Sequence, residues 1–471
     1  MQKRLEQIHD ASMTILEEVG IKLHHPKILE ILCRHGVKVV DDTAFFTRGQ
    51  VMEWVGKTPE RFTVYARNPK HNMSIGGDDS EFVGGYGCPN IIEADGQRRS
   101  ALLADQVKFV KLVQQSDGFR LNGGILAQPS DLTNDQTHMV MTYAAIVYSD
   151  KCIMGQTGSC GDVEKIMDVA GIVFGGKEKL AEKPRVVTLV NTLSPLQMDH
   201  HALSTLLVHG KYRQPVVFCS GPMGGTTSPM TMAGTMAMGN AETLAAIAIF
   251  QMVSPGTPAV MAINAYPADM RTGALSIGSP AHALEVKYCA GLSKMYKIPC
   301  RCGGTSTDAK GVTVQSGYES MMTMFVSLQE KVNLIIHSAG ILDSYAGISY
   351  EQFIVDLEII SMIRYYLKDM AINDNTLCLD VIKKVGPGGQ FLTHPHTMQN
   401  CRKEPWMSEL GTPGLLKEGQ TPNDAVMEKI RMKLEKMLSA YEKPQLDETI
   451  QTRLDQYLMD HGIDQEFLNA V

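Results

Sequence analysis

Eight short apolar segments alternate with helical patterns between residues 81 and 367, and this rhythm constrains the fold more than any other feature of the chain. Several segments are near-continuous apolar runs, as expected of parallel strands covered by helices. Eight strand–helix units in about 290 residues match a TIM-type (β/α)8 barrel. The predicted strands are Glu81–Gly85, Arg120–Leu126, Cys152–Gln156, Val186–Asn191, Val216–Ser220, Ala259–Asn264, Pro299–Gly303 and Asn333–Ser338.

A doubly wound sheet is the competing α/β architecture. No predicted strand is followed by a GxGxxG or Walker sequence, so the usual nucleotide-binding reason for that fold is missing. The rhythm therefore favours the barrel. The helices predicted between and after the strands are Leu103–Gln115, Asp135–Tyr148, Val163–Phe174, His200–His209, Ala241–Val253, Ala281–Tyr296, Gln315–Gln329 and Gln352–Leu367.

The segments that flank the barrel differ from it in pattern. Residues 1–75 are typical of an N-terminal cap that is helical at first and β-like near 62–65. The barrel takes residues 76–416 and contains a hairpin, with strands at 90–92 and 97–99. Residues 417–471 form a helical extension for packing or subunit contacts, with amphipathic helices at Asn423–Leu438 and Leu446–Asp460.

Charge excludes several partners. The chain has 44 basic and 51 acidic residues and a net charge of −7, which favours neither nucleic acid nor an anionic membrane. Between Gln214 and Ala268 the only charged residue is Glu242. Prolines and glycines interrupt this stretch, so it predicts a buried part of a large fold rather than a transmembrane helix.

The N-terminus and the cysteines favour a cytoplasmic protein. Residues 1–20 carry an amphipathic helical stripe broken by acidic residues, which is not the pattern of a signal peptide. The ten cysteines are dispersed, and none forms a CxxC pair. They are interpreted as small buried side chains of a reducing compartment rather than as disulfides.

Catalysis in such a barrel takes place at the carboxyl ends of the strands. The residues at these ends are glycines, amides, hydroxyls and aromatics, and few are charged. No Ser-His-Asp order, HExxH motif or pair of carboxylates is present there. The predicted site binds and orients a substrate but has little nucleophilic or acid–base power, so an external nucleophile is expected.

Three charged or metal-like candidates keep more than one interpretation. His337 ends an apolar strand and is either structural or in contact with substrate. Lys310 is a candidate Schiff-base lysine, although an ion pair with Asp308 in the same loop is the simpler interpretation. His394 and His396 have the spacing of metal ligands, but no third ligand can be assigned, and no metal site is predicted.

Two sets of residues point to a cationic substrate and a large cofactor. Aromatic faces bind cations, and a cage is predicted near the strand ends, although each ring taken alone is more often core packing. The stretch after strand five, rich in glycine and methionine, is either a buried loop entering the helix at 241–253 or an adaptable docking face. The cage residues are Tyr86, Tyr266, Tyr345 and Phe353, and the docking residues are Gly221, Met223, Gly224, Met230 and Met232.

Several stretches in order along the chain resemble the trimethylamine methyltransferase family, and the resemblance runs from about residue 5 to residue 440. It implies a TIM-type barrel that moves a methyl group from an amine to the Co(I) corrinoid of a separate protein. The stretches are Gly303-Gly304-Thr305-Ser306-Thr307-Asp308-Ala309-Lys310, Gln315-Ser316-Gly317-Tyr318-Glu319, Asn333-Leu334-Ile335-Ile336-His337-Ser338-Ala339-Gly340-Ile341-Leu342-Asp343, Gly386-Pro387-Gly388-Gly389-Gln390-Phe391-Leu392 and His396-Thr397.

One departure from the family pattern changes the expected substrate. Founding members carry pyrrolysine just after the stretch that here reads Gly340–Asp343, whereas this chain continues with the standard residues 343–347. The resemblance is therefore to the branch without pyrrolysine, which is associated with quaternary amines such as glycine betaine, proline betaine and carnitine. A quaternary ammonium already carries the charge that makes its nitrogen a leaving group, so no proton is needed.

The resemblance also implies a set of site residues and partners. Asp343 and His337 are the catalytic candidates. The corrinoid comes from a cognate partner protein, because the chain lacks DxHxxG and Asp199-His200-His201 has no glycine where one is required. A homo-oligomer is expected. The substrate-binding candidates are Tyr86, Gln156, Asn191, Asn264, Tyr266, Arg301, Tyr345 and Phe353, of which Asn191, Asn264, Arg301 and His337 are candidates for a substrate carboxylate.

Two other functions remain open from the sequence. One is a lyase or decarboxylase that works without corrinoid, with Lys310 as its amine nucleophile. The other is a barrel that binds betaines without catalysis. Turnover without cobalt would indicate the first, and ligand binding without methyl transfer would indicate the second.

Overall fold

The N-terminal segment combines helices with short strands. The structure is a computed structural model that describes residues 1–464 and residue 467. Helix α1 packs on the later helix 232–253, where the Ser12 hydroxyl donates to the carbonyl oxygen of Ala237 at 2.8 Å. The elements are α1 (Gln2–Thr14), a π-helical turn (Ile15–Val19), β1 (Ile21–Leu23), α2 (Pro26–Arg34), β2 (Lys38–Val40), β3 (Thr43–Phe45), α3 (Arg48–Val55), β4 (Arg61–Val64) and β5 (Met73–Gly76).

The strands of the central part follow the predicted rhythm. Those predicted for the barrel are all present except the seventh, although several are shorter than expected. The predicted hairpin is also present, as β7 and β8. The strands are β6 (Glu81–Val83), β7 (Asn90–Ile92), β8 (Arg98–Ser100), β9 (Phe119–Gly123), β10 (Cys152–Met154), β11 (Val186–Asn191), β12 (Gln197–Met198), β13 (Val216–Ser220), β14 (Ala259–Ile263), β15 (Ala268–Asp269), β16 (Ala274–Leu275), β17 (Leu334–Ile335), β18 (Ile341–Leu342) and β19 (Gly347–Ile348).

Seven of these strands form one parallel sheet in the order β14-β13-β11-β10-β9-β6-β17. The two edges of this sheet are linked through the segment predicted as the seventh strand. Cys300 bridges Met261 of β14, and Arg301 bridges Leu334 of β17, both in parallel orientation. The segment makes only these single bridges and is not a regular strand. The curled sheet with its helices is a TIM-like α/β fold.

The helices occupy the predicted places, and their starts are fixed by local chemistry. Helix α10, for example, begins where the Ser279 hydroxyl accepts from the amide of His282 and Pro280 takes the first helical position. The helices are α4 (Leu103–Gln115), α5 (Asn134–Val147), α6 (Cys160–Phe174), α7 (Lys177–Leu180), α8 (His200–Lys211), α9 (Met232–Val253), α10 (Pro280–Tyr296), α11 (Val314–Gln329), α12 (Tyr350–Leu367), α13 (Asp374–Leu377), α14 (Leu379–Val385), α15 (Pro395–Asn400), α16 (Pro422–Ser439) and α17 (Glu448–Asp460).

Helix α9 corrects one prediction. The interpretation of Met232–Met238 as a loop is wrong, because these residues form the first turns of a 22-residue helix. In the described part of the chain, α9 is the one helix long and apolar enough to cross a membrane. Of its most apolar 18-residue window, 94% is buried inside the fold, which is the state of a core helix. The charge-poor stretch is therefore buried, as expected.

The β4–β5 hairpin covers the amino ends of the barrel strands. Its residues Val64, Met73 and Ile75 are fully buried and belong to one apolar cluster with the inward-facing residues of the sheet. At the rim of this hairpin the Asn333 side-chain amide donates to the carbonyl oxygens of Gly77 and Asp79. The cluster fills the lower half of the barrel, which leaves the carboxyl ends of the strands as its mouth.

The C-terminal extension packs on the barrel of its own chain. Helix α16 contacts α12 and α4, and α17 contacts α5 and α6. Ile430 and Leu434 of α16, like Leu454 and Leu458 of α17, are buried there. Residues 368–421 form an exposed connection with three short helices, and most of this connection falls within the region 76–416 that the sequence predicts as the barrel. The division of the chain at residues 75 and 416 stays a prediction.

Candidate functional site

Strand alternation places a polar layer directly above the apolar barrel core. The buried residues Val187 and Leu189 of β11, and Val260 and Ala262 of β14, face inward. Successive strand residues point to opposite faces, so the next inward positions are Asn191 and Asn264. By the same alternation Gln156 follows Met154 of β10, and Arg301 faces inward between Cys300 and Cys302. Four of the predicted substrate-binding residues therefore share one layer.

Arg301 is the unusual member of this layer. It is 1% exposed, and its contact with the protein is a 3.5 Å hydrogen bond from Nη1 to the Cys219 sulfur. Its Nε has no partner, and no carboxylate of the described residues pairs with its guanidinium. An unpaired buried charge costs several kcal/mol in a protein interior. An anion bound beside Arg301 would offset this cost.

Two amide side chains of the layer also lack partners. The Gln156 Nε2 and Asn264 Oδ1 atoms are buried without hydrogen bonds to the described residues. The first is a donor and the second an acceptor, so together with Arg301 they offer donors and an acceptor to a polar ligand. Asn191, in contrast, is exposed, which shows that solvent reaches this side of the mouth.

Aromatic rings surround the polar layer. The rings of His337 and Tyr345 lie 4.6 Å apart, and those of Tyr345 and Tyr266 lie 6.0 Å apart with an edge-to-face tilt. Tyr266 in turn lies 5.5 Å from the ring of His282. The backbone amide of Tyr86 donates to Nδ1 of His337 at 3.2 Å, which joins the fourth aromatic residue to the group. Tyr86, Tyr266, His337 and Tyr345 are called the aromatic cluster below.

The electrostatics of the cluster favour neutral rings. Burial, with Arg301 and His282 nearby, holds the pKa of His337 well below its usual value. Burial also raises the pKa of Tyr86, Tyr266 and Tyr345. Because Nδ1 of a neutral His337 accepts a hydrogen bond, its proton lies on Nε2. The tyrosines and the imidazole therefore present π faces and donors without net charge.

A turn with unusual backbone geometry carries Tyr345 into the cluster. Asp343, Ser344 and Tyr345 all have positive φ, at 52°, 51° and 73°. Such conformations are unfavourable for residues other than glycine and persist where surrounding contacts hold them. The Ser344 hydroxyl donates to Asp308 at 2.7 Å, and Asp308 also accepts from the amide of Ile277 at 2.9 Å. Asp308 thus ties this turn to the loop after β14.

The Asp343 carboxylate is paired with two basic side chains. Its carboxylate forms ion pairs with Lys310 and, at 3.3 Å, with Arg98. The predicted ion pair between Asp308 and Lys310 is wrong, because the backbone amides and Ser344 occupy Asp308. The Lys310 side chain is 73% exposed and paired, and it lacks the burial that activates a Schiff-base lysine.

Phe353 lies apart from the other predicted cage residues. It is fully buried on α12 and packs against Phe109 and Phe119, with ring centroids 6.2 and 6.1 Å away. The structure therefore brings three of the four predicted cage residues together. The sequence missed His282, because nothing in the residue pattern shows that α10 reaches this mouth. It also gave Asp308 the wrong partner, since Asp308 binds Ser344 rather than Lys310.

The predicted docking residues lie beside the cluster. Met223 bridges Tyr266, and the Gly224 amide donates to the Tyr266 carbonyl oxygen at 2.9 Å. Gly221 is exposed, Met232 opens α9, and Met230 is 58% exposed. Met230 lies at a tight turn with a second exposed methionine, since both sulfur atoms are close to Gly225. The second one is Met270, which is 60% exposed.

The histidines with metal-like spacing lie in the exposed connection. The sulfur of Cys378 is 3.7 Å from Nε2 of His396, while Nδ1 of His394 accepts from the His396 amide. Among residues 1–464 and 467, no group of three or more His, Cys, Asp or Glu side chains is arranged to hold a metal ion.

Comparison with known proteins gives the family. Residues 1–462 match the family model described as trimethylamine methyltransferase (MTTB). The chain belongs to the trimethylamine methyltransferase family. Within this family, a glycine betaine methyltransferase of Desulfitobacterium hafniense (strain Y51) is 38% identical over 459 residues, which cover 98% of this chain and 96% of that protein.

Two more proteins extend the comparison. A proline betaine:corrinoid methyltransferase of Eubacterium limosum is 28% identical over 473 residues, with 96% of each chain covered. The crystal structure of the Methanosarcina barkeri monomethylamine methyltransferase has a TM-score of 0.48 at 10% identity, covering 92% of this chain and 98% of that chain. The sequence relatives, rather than this weak structural likeness, carry the family assignment.

Two of the stretches that resemble the trimethylamine methyltransferase family, 303–310 and 333–343, form part of the wall of the site, whereas 386–392 and 396–397 lie in the exposed connection after α12. In 303–310, Gly304 has a φ of 119° and lies against the backbone of Ile336 and His337, just after β17. A Cβ atom on Gly304 would be 2.5 Å from the His337 carbonyl oxygen, so no other residue fits there. In 333–343, Gly340 donates its amide to buried Asp356 at 2.7 Å. The motifs thus hold His337 and the 343–345 turn.

Proposed function

We propose that this chain transfers a methyl group from a betaine-type quaternary amine to the Co(I) corrinoid of a separate protein. The observation that carries this proposal is the unpaired, buried Arg301 beside a cluster of neutral tyrosines. An anion-binding guanidinium next to cation-binding aromatic faces complements a zwitterion that carries a carboxylate and a quaternary ammonium. The betaine methyltransferases among its relatives support the same substrate class.

The chain's own residues bind and aim the substrate. Arg301 and the Gln156 amide group donate to the carboxylate, and the faces of the aromatic cluster surround the ammonium. Each aromatic contact with a desolvated quaternary ammonium contributes up to about 2 kcal/mol. Phe353 has no part in this binding, since its ring on α12 packs against Phe109 and Phe119. Asn264 and Asn191 complete the polar layer.

The two catalytic candidates, His337 and Asp343, hold other residues of the site in place. Neutral His337 contacts Tyr345 and fixes Tyr86 through its Nδ1 atom. Asp343, whose charge is offset by Lys310 and Arg98, holds the turn that carries Tyr345. Neither residue has to transfer a proton, because the nitrogen leaves as a neutral tertiary amine that keeps the bonding electron pair.

The acceptor substrate approaches at the mouth. Co(I), presented by the partner protein, supplies the nucleophile for the N-methyl carbon. The exposed rim made by Met230 and Met270 is the proposed docking surface, because flexible methionines suit a contact that forms and breaks in every turnover. Gly221, Met223 and Gly224 connect this rim to Tyr266.

The proposal also includes a complete barrel, a cytoplasmic location and a reaction without pyrrolysine. The eight strand segments form a complete barrel, with residues 300–301 as its seventh strand. The reaction takes place in the reducing cytoplasm, which suits both Co(I) and the ten free cysteines. No pyrrolysine is required, since the positions after Gly340–Asp343 hold standard residues.

A substrate panel tests the reaction. The purified chain is mixed with chemically reduced cob(I)alamin and one amine: glycine betaine, proline betaine, carnitine, tetramethylammonium or trimethylamine. We expect the Co(I) spectrum to convert to that of methylcobalamin with at least one betaine and not with trimethylamine. If none of the betaines converts the Co(I) spectrum, methyl transfer is contradicted. If a betaine binds in calorimetry without this conversion, the chain is the non-catalytic binding barrel instead.

A further inference from the structure

A cavity of about 570 Å³ lies on the outside of the barrel, where α1 contacts both α9 and α10. Its size is within the range of small-molecule sites in proteins. The wall of this space, called the outer cavity below, is mostly apolar and includes Ile8, Met232, Met236 and Leu284. None of its described lining residues belongs to the aromatic cluster, so the outer cavity is separate from the mouth of the barrel.

The outer cavity contains a buried carboxyl group that lacks a donor. Glu285 of α10 is the one carboxylate among the described residues that line this space. Its side chain is 3% exposed, and its Oε2 atom accepts no hydrogen bond from the described residues. Burial raises the pKa of Glu285, and His282 offsets part of the rise. A buried acceptor without a partner costs free energy, which a bound donor would recover.

The charged neighbours of Glu285 are engaged elsewhere. Nδ1 of His282 donates to the carbonyl oxygen of Ala265 at 3.3 Å and lies 3.8 Å from Oε2 of Glu285, beyond hydrogen-bond distance. Arg4, the other charged residue of the wall, is exposed, and its Nη1 donates to the Tyr288 hydroxyl at 3.4 Å. Glu285 therefore keeps an unfilled acceptor at the wall of the outer cavity.

The chemistry of the wall selects the occupant. A divalent metal ion needs several oxygen, nitrogen or sulfur ligands, and one carboxylate does not supply them. A water molecule at Oε2 would find few further polar partners beside an apolar wall. A quaternary ammonium has no N–H to donate, whereas a protonated primary amine has three. The thioethers of Met232 and Met236 suit an alkyl or aromatic tail.

We propose that the outer cavity is a second ligand site, which binds a primary ammonium ion with an apolar tail. The ammonium donates a charge-assisted hydrogen bond to Oε2 of Glu285. The tail packs on the apolar wall, where it is removed from water. This ligand differs from a betaine, which carries a carboxylate and a cation without N–H. The second site does not depend on methyl transfer, so the two proposals fail separately.

Titration calorimetry of the full chain with hexylammonium and phenethylammonium tests the site. Each ion is compared with the neutral alcohol of the same tail, hexanol or 2-phenylethanol. We expect at least one of the ions to bind once per chain and at least tenfold more tightly than its alcohol. Glu285→Gln keeps the shape of the side chain but removes its charge. This substitution should weaken binding of the ion at least tenfold and change binding of the alcohol less than threefold.

A second variant tests the place of binding. Ala233 lines the outer cavity and is exposed, so Ala233→Trp fills the space from its rim. It should weaken binding of the ion and of the alcohol at least tenfold. Ala440→Trp, an exposed alanine at the end of α16, is the matched control and should leave both affinities unchanged. Circular dichroism melting checks that each variant is folded, and Ala233→Trp decides if Glu285→Gln is not.

Three results would overturn the proposal at once. They are no binding of either ion, equal binding of ion and alcohol, and ion binding that survives Glu285→Gln in the folded protein. Binding that is lost in Tyr345→Ala but kept in Ala233→Trp would place the ion in the aromatic cluster and would overturn the proposal as well.

Discussion

At the scale of single residues, Arg301 is the proposed contact between the barrel and its ligand. Its neighbours Cys300 and Cys302 are buried on the helix side, and the guanidinium points to the axis, where it meets Cys219 and the aromatic cluster. A protein that keeps an unpaired cation in its interior sacrifices stability for binding. The effects of substituting Arg301 on binding and on stability should therefore have opposite signs.

We expect Arg301→Gln to weaken binding of the betaine used in turnover by at least 100-fold, because the carboxylate loses its charged partner. Binding of tetramethylammonium, which has no carboxylate, should change less than threefold. Titration calorimetry with both ligands measures the difference. The melting temperature should stay equal or rise, and equal losses for both ligands would contradict the carboxylate role.

Tyr345→Ala should weaken binding of the same ammonium compounds by about 10- to 30-fold, since up to about 2 kcal/mol of cation–π energy is lost. Tyr345→Phe keeps the ring and is the matched control, with an expected change below threefold. Calorimetry gives the affinities and thermal melting the stability. Unchanged affinity in Tyr345→Ala would remove Tyr345 from the site.

Strand alternation is the part of the site that the sequence predicts well. Gln156, Asn191 and Asn264 come at the ends of recognisable strands, so their inward direction follows from the two-residue period. Phe353 could not be placed in the same way, because a helix residue has many possible neighbours. The Lys310–Asp343 pair joins loops 33 residues apart, and no local pattern reveals it.

At the scale of elements, α9 shows where local propensity fails. Its first turns contain Gly234 and Gly239, which weaken an isolated helix, and the sequence therefore predicts a loop. The helix is held by close packing instead. A Cβ atom on Gly239 would lie 2.9 Å from the Ser220 hydroxyl and 3.0 Å from Ile263. Such tertiary contacts override propensity and are invisible in one sequence.

Glu242 of the same helix has a structural task. The carboxylate accepts from the hydroxyls of Thr192 and Ser194, at 2.5 and 2.8 Å, and from the Leu196 amide at 2.8 Å. These bonds fix the loop after β11. The one charged residue of the 214–268 stretch is thus hydrogen-bonded inside the fold. The mouth of the barrel therefore stays poor in charge.

At the rim, Met230→Ser is expected to raise the KM for the corrinoid protein severalfold and leave the KM for the amine unchanged, because Met230 is exposed and lies on the proposed docking surface. Steady-state methyl transfer at varied concentrations of each substrate measures both constants. Met432→Ser, an equally exposed change on α16, is the control. An effect on the amine alone would move Met230 into the small-molecule pocket.

At the scale of the whole molecule, the rhythm of eight strands and helices was sufficient to predict the TIM-like fold. The rhythm ends at α12, however, and gives no information about the residues that follow. Residues 368–416 are therefore predicted to belong to the barrel region, although large apolar side chains among them, such as Leu392 and Met398, are exposed. Apolar content favours burial but does not guarantee it.

Buried Asp356 should make the stability of the molecule depend on pH. Burial raises the pKa of Asp356 from its usual 3.8 to about 8 in the fold. Between these two values the folded state binds more protons than the unfolded state, so the stabilising contribution is lost as pH rises toward 8. The loss is up to about 1.4 kcal/mol per pH unit.

Asp356→Asn removes this titration, so its unfolding free energy should change less between pH 5 and pH 8 than that of the wild type. Urea unfolding at each pH measures the slope. Parallel curves for the two proteins would show that Asp356 ionises normally. Tyr457→Phe, far from α12 on the C-terminal helix α17, should keep the wild-type slope.

The hairpin of β4 and β5 that covers the closed end of the barrel has a consequence for the order of events in turnover. Because the barrel is open at one end, its two substrates enter by the same route. The small amine has to enter before the much larger corrinoid carrier arrives, and the demethylated product waits until that carrier departs. Under the proposed reaction, turnover is compulsorily ordered, and an excess of the carrier slows it by closing the entrance on an empty barrel.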